Sequence, residues 1–207
     1  MKFTLLTPND YRSVPWKNGR GVTHEIIREP QEEGPPFHWL ISMTEIKESG
    51  PFPNLPEYRR IISTLEGRGM RLTVDGRESE TLLKYQPFIF EGESLVESEL
   101  LDGPVSDFNL IYRRDLCRVR FQWLKVGEQQ TVCTQSARLV LFSVNELRVL
   151  ANEESFSLGH NHALLVENPK REMVKLSLGG TQAEPAAFGG LIELDILLQN
   201  LKWLPED

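Results

Sequence analysis

An all-β fold of the sandwich or barrel type is predicted by three features of the chain. Short runs of β-branched, aromatic and aliphatic residues recur along it, turn residues break them about every 8 to 12 positions, and helical periodicity is scarce. The runs predict strands over 39–44, 61–65, 70–74, 88–90, 108–112, 119–123, 138–142, 163–166 and 174–178. Between them stand Glu66-Gly67, Asp75-Gly76, Glu91-Gly92, Asp102-Gly103-Pro104, Asn168-Pro169 and Gly179-Gly180, all turn formers. The Pro-rich segments 33–36 and 50–53 are expected to be surface loops. Toward the end, 191–204 is apolar enough for a short helix, and a last strand over 191–196 fits equally well.

A length of 207 residues allows one large domain or two small fused ones. A weak shift in composition near Arg113-Arg114-Asp115 suggests a boundary, giving units 1–115 and 116–207. Hydrophobic residues at 40% and charged residues at 26% suit a packed globular protein. The formal charge of −7 argues against nucleic acid or an anionic membrane as partner, since both select a basic face. Met1 to Pro8 lacks the apolar core and cleavage site of a signal peptide, and no apolar run approaches the roughly 20 residues of a membrane span. Cys117 and Cys133 are isolated and fit no zinc spacing, so a reduced, cytoplasmic protein is expected.

The segment from Leu65 to Gly76 reads as a strand, a glycine turn, a second strand and an Asp-Gly turn. Its cadence resembles the end of the first cupin motif. In that motif two His separated by one residue precede a Glu, and a Gly follows the Glu. Counted back from Gly67, the Glu position falls on Arg60 and the His positions near Asn54 and Pro56, none of which supplies the expected ligand. The segment from Phe88 to Glu97, where the second motif would provide a third His, contains none. A metal-free first barrel without a cofactor is therefore expected. Arg60 replaces an anion-attracting metal with an anion-attracting guanidinium. It serves either as a carboxylate-binding group or as a structural Arg paired with Glu25 or Asp107.

Two further segments are rich in recognition chemistry. Trp16-Lys17-Asn18-Gly19-Arg20-Gly21 forms a glycine-bearing loop, after which Thr23 and Glu25 alternate onto one strand face. Such a gathering of indole, ammonium, amide, hydroxyl and carboxylate suits a polar small molecule, or else a capped hairpin around a buried Trp. Asp107 and Asn109 share a strand face opposite Phe108 and Leu110, either at a barrel mouth or, for Asp107, as an Asx cap after Gly103-Pro104.

Taken together, Trp16-Lys-Asn-Gly-x-Gly-x-Thr-x-Glu25, Trp39-x-x-Ser42, Gly50-Pro-Phe52, Arg60, Leu65-Glu-Gly-x-Gly-Met-x-Leu72, Phe88-x-Phe-x-Gly92 and Leu101-Asp-Gly-Pro-x-x-Asp-Phe-Asn109 resemble the HutD/Ves family. The resemblance is dense over residues 1 to 115. It implies an all-β bicupin, two fused cupin-like (double-stranded β-helix) barrels, one with a polar pocket. It also implies a link to bacterial histidine utilisation through small carboxylates such as urocanate, formylglutamate or formate. The chain departs from the pattern at Leu40, where the family has Arg, and at Glu57, where Gly usually follows the Pro.

His160-Asn161-His162 mimics cupin metal spacing, but no His follows it, and a turn before the strand at 163 is expected. No serine-nucleophile elbow or phosphate loop is present. The leading expectation is a non-enzymatic carboxylate sensor. In it Arg60 and Lys17 hold the carboxylate, Asn18 and Asn109 orient it, Glu25 or Asp107 balances charge, and Trp16 and Thr23 complete the wall. The alternatives are a metal-independent isomerase or lyase with Glu25 or Asp107 as base, and a packed scaffold. A homodimer is compatible with either.

Overall fold

A computed structural model describes residues 1–16, 19, 21–31, 36–127, 129–180 and 187–197. Its strands, among these residues, are β1 (Lys2–Leu6), β2 (Arg12–Pro15), β3 (Gly21–Glu29), β4 (Trp39–Ile46), β5 (Gly50–Pro51), β6 (Tyr58–Glu66), β7 (Met70–Val74), β8 (Arg77–Glu78), β9 (Phe88–Glu91), β10 (Val96–Leu100) and β11 (Val105–Arg113). They continue as β12 (Cys117–Val126), β13 (Gln130–Thr134), β14 (Arg138–Ser143), β15 (Leu147–Ala151), β16 (Glu154–Leu158), β17 (Ala163–Glu167), β18 (Val174–Gly180) and β19 (Ala187–Ile196). The all-β expectation holds. Among the described residues no helix is long and apolar enough to cross a membrane.

The described chain divides into two compact units. The first runs from Tyr11 to Cys117, and the second joins Met1–Asp10 to Arg118–Leu197. The first ten residues thus leave the unit that chain order assigns them to. β1 pairs antiparallel with β17, from Lys2 opposite Glu167 to Leu6 opposite Ala163. Its Phe3 ring lies 5.5 Å from Phe156, against the second unit's core. The unpaired edge of β17 and an apolar seat for Phe3 outweigh chain proximity.

Each unit has two antiparallel sheets around an apolar interior. In the second unit the sheets run β1-β17-β14-β19-β12 and β13-β18-β15-β16. Leu139, Leu141, Leu164 and Leu191 from one meet Leu147, Val149, Leu176 and Leu178 from the other. In the first unit the orders are β2-β3-β4-β11-β6-β9 and β5-β10-β7-β8. The Pro-rich 50–53 segment is not wholly loop, since Gly50 and Pro51 form β5 and pair with Ser98 and Glu97 of β10.

Register decides what the first unit encloses. β4, β11 and β6 lie side by side, with Asn109 opposite both Ser42 and Ile62, Asp107 opposite Thr44 and Thr64, and Ile111 opposite Leu40 and Arg60. One face therefore carries Leu40, Ser42, Thr44 and Ile46 on β4, and Ile111, Asn109, Asp107 and Val105 on β11. Leu40 and Ile111 belong to an apolar cluster with Phe37 and Tyr58. Ile46 belongs to another, with Ile62, Met70, Leu72 and Phe90. A polar stratum is held between these two apolar layers.

Candidate ligand-binding site

The stratum begins where β3 opens. Trp16 directly follows β2, and its Nε1–H donates to Thr23 Oγ1 at 2.9 Å. Gly21 makes room for the indole, because a Cβ there would stand 3.0 Å from the Trp16 ring and 2.6 Å from the Glu45 carbonyl oxygen. Thr23 lies opposite Thr44 across β3 and β4, with the hydroxyls 3.4 Å apart. Thr44, through its hydroxyl and its N–H, favours the ionised form of Asp107. Asn109 Nδ2 then donates to Asp107 Oδ1 at 2.6 Å, and Arg60 Nη2 donates to Asn109 Oδ1 at 3.1 Å.

Arg60 closes the chain of contacts. Its side chain points into the unit, is 4% exposed, and lies over Phe52 at 4.8 Å and Phe90 at 5.1 Å. Ring faces stabilise a guanidinium by about 0.5–2 kcal/mol as water is withdrawn. Nη1 has a long contact of 3.5 Å to the Pro53 carbonyl. Two atoms are left over. Among the described residues, Arg60 Nε and Asp107 Oδ2 are buried with no hydrogen-bond partner. Such groups cost on the order of 1–3 kcal/mol each, more when charged. His38 Nδ1, Trp39 Nε1 and His162 Nδ1 are also orphaned, but none belongs to a pair of opposite charge.

Burial governs the charge state of both groups. It pushes the Asp107 carboxyl up to about 7, against the opposing pull of Arg60, Thr44 and Asn109. It lowers the Arg60 guanidinium to about 10, which still leaves it charged at neutral pH.

Phe52 connects the stratum to a cavity of about 20 Å³ lined also by Trp16, Ile46, Gly50 and Ser98. That is close to the room one water needs. A larger occupant beside Arg60 requires Phe52 or the segment between β4 and β6 to move.

Of the residues the sequence singles out, Trp16, Thr23, Arg60, Asp107 and Asn109 come together. Glu25 shares their sheet face, opposite Ser42, but lies 3.5 Å from Arg28 and 3.9 Å from Arg12. The acid facing Arg60 is Asp107, reached through Asn109, and not Glu25. Asp107 is also no turn cap, for it sits inside β11 with its side chain enclosed. Lys17 and Asn18 lie outside the described residues. The site list from sequence omitted Ser42, Thr44, Phe52 and Phe90. The alternation in Leu40-Ile-Ser-Met-Thr44 was a signal for the first two; Phe52 and Phe90 stand in the family motif, but only the tertiary structure brings their rings to Arg60.

Glu57, the position where Gly is expected, adopts a left-handed φ of 72°, a conformation that favours glycine. Leu40 packs in the apolar layer beneath Arg60. The His160–His162 segment is a turn, with Asn161 at φ 56° and the His160 ring against the Val144 carbonyl. Among the described residues no group of three or more His, Cys, Asp or Glu is placed to hold a metal ion.

The family model described as HutD matches residues 8–183. The chain belongs to the HutD family. Among curated relatives it is 40% identical to an uncharacterised 21.2 kDa protein of the hutC 3' region of Pseudomonas putida, over 85% of this chain and 92% of that protein. It is 38% identical to Protein Ves of Cronobacter sakazakii, over 54% of this chain and 62% of Ves. A conserved protein of unknown function from Pseudomonas aeruginosa PAO1 superposes with a TM-score of 0.89 at 36% identity, covering 94% of this chain and all 100% of that one. HutD from Pseudomonas fluorescens SBW25, solved in a formate condition, gives 0.82 at 37% identity, over 94% and 99%. A cupin 2 barrel protein of Leptotrichia buccalis, at 7% identity and 0.56 over 89% of this chain, shares the fold. The HutD-family fold is thus that of cupin-like barrels, although in each described unit the ladders remain two separate sheets.

Proposed function

We propose that this HutD-family protein is a non-enzymatic binder of small carboxylates, with the ligand's anionic end at Arg60. The supporting observation is the orphaned Arg60 Nε, a cationic donor enclosed by two Phe rings and held in place by Asn109. A guanidinium matches a carboxylate in shape and charge, and the low surrounding dielectric strengthens the contact. The name of the P. putida relative, which refers to hutC, supports a role beside histidine utilisation, with urocanate, formylglutamate and formate as candidate ligands. Lys17 and Asn18 complete this reading as further ligand groups, and Thr23 and Trp16 form the wall. A reducing, cytoplasmic setting suits two free thiols, one buried and one exposed.

Titration calorimetry with the three carboxylates on wild type and Arg60→Met tests the reading. The variant should bind roughly ten- to a hundredfold more weakly, the worth of one charged hydrogen bond. Equal affinity in both proteins overturns it. The near-neutral titration of Asp107 supports a second reading, a metal-independent isomerase or lyase with Asp107 as proton carrier. Conversion of a bound carboxylate, followed by proton NMR and lost in Asp107→Asn, would establish that alternative.

A further inference from the structure

Charge balance inside the first unit constrains what the Arg60 site takes up. The interior around Asp107 is faced by Arg60 and Thr64 from β6, by Thr44 and Ser42 from β4, by Asn109 from β11 and by Thr23 from β3. Glu25, the other acid on this face, is balanced by Arg28 and Arg12. Among the described residues the charges that act on Asp107 reduce to one cation, Arg60. An ionised Asp107 and Arg60 sum to zero, so, counted over the described residues, an added carboxylate would leave a net negative charge in a dry interior. Protonating Asp107 removes that excess. It also turns the unmatched Oδ2 of Asp107 into a donor, which can point at the same anion that Arg60 Nε faces.

Resting on the carboxylate-binding reading above, we propose that the site takes up a small monocarboxylate together with one proton, the proton going to Asp107. Asp107 and Arg60 then present one donor each, and Asn109 keeps them in register. Nothing covalent changes, since the proton comes from solvent and returns when the anion leaves. Burial, which already weakens the ionised form of Asp107, favours the exchange.

Sodium formate, the smallest monocarboxylate, is the probe. Calorimetry on the full chain at pH 8, in two buffers of unlike ionisation enthalpy, should show heats that differ as for about one proton absorbed per formate. Affinity should fall about tenfold per pH unit above the Asp107 titration. Asp107→Asn, its fold checked by circular dichroism, should bind formate with heats independent of buffer and a flat pH profile. Formate bound by wild type with no proton uptake, or more tightly as pH rises, overturns this inference and leaves the carboxylate reading standing. If neither formate nor acetate binds, or if Arg60→Met binds formate as wild type does, the carboxylate reading fails and this inference fails with it.

Discussion

The two units enclose charge in different ways. In the second, the interior between the sheets is aliphatic, and the one acid at its margin, Glu193, is met on one oxygen by Thr134 and on the other by Arg120. Both oxygens of that carboxylate are engaged. In the first unit the central strands bring Ser42, Thr44, Asp107, Asn109 and Arg60 between two apolar layers, and one atom at each end of the network stays unmatched. A buried ion that is fully satisfied holds structure together, whereas one with spare hydrogen-bonding capacity adds cost to the folded state that a ligand can relieve. On the carboxylate-binding proposal, the first unit is the working one and the second is packing.

The largest contrast should come from truncation. Arg60→Ala leaves Asp107 buried without its cation and is expected to cost about 3–5 kcal/mol at pH 8. The loss should shrink at pH 5, where protonation of Asp107 relieves it. Urea unfolding at both pH values measures this, and an equal loss at each would mean that Arg60 stabilises by packing over Phe52 and Phe90. Leu141→Ala in the second unit, a fully buried aliphatic, should cost about 2–5 kcal/mol whatever the pH and leave formate binding unchanged. Impaired binding in that variant would break the division of labour between units.

A smaller effect follows from titration in the wild type. Asp107 holds its proton up to about 7 in the folded protein, while its ordinary value is 3.8. Between those values the folded state binds more protons than the unfolded one. Its contribution to stability is therefore full below about pH 4 and declines as pH rises, levelling above 7, by up to roughly 4 kcal/mol. Chemical denaturation in steps across pH 4 to 8 should show this downward component in wild type and its loss in Asp107→Asn. Parallel profiles for the two proteins would refute it. Least of all should come from Arg68→Ala, whose ion pair with Asp102 is exposed on both sides. A change above about 0.5 kcal/mol there, by thermal unfolding, would show surface charge to matter more than the buried pair implies.

The amino-acid sequence by itself determined the all-β class, the family, the expectation that Arg60 faces an acid or a ligand, and the pairing of Asp107 with Asn109 on one face. Those follow from local rules: a period of two along strands and turn residues between them. It also marked most of the strands, but not β1, β2, β5, β8, β10, β13, β15 and β16; in β10 and β15 outward residues such as Glu97, Glu99 and Arg148 break up the apolar runs. Tertiary structure decided the rest. Tertiary packing placed Asp107 rather than Glu25 toward Arg60, put two Phe rings around the guanidinium, and moved β1 to an edge in the second unit. Each of these depends on which strand lies beside which, a long-range choice that no window of sequence contains. The orphaned pair is likewise a property of the assembled interior, since only burial makes an unmatched donor and an unmatched acceptor costly enough to count.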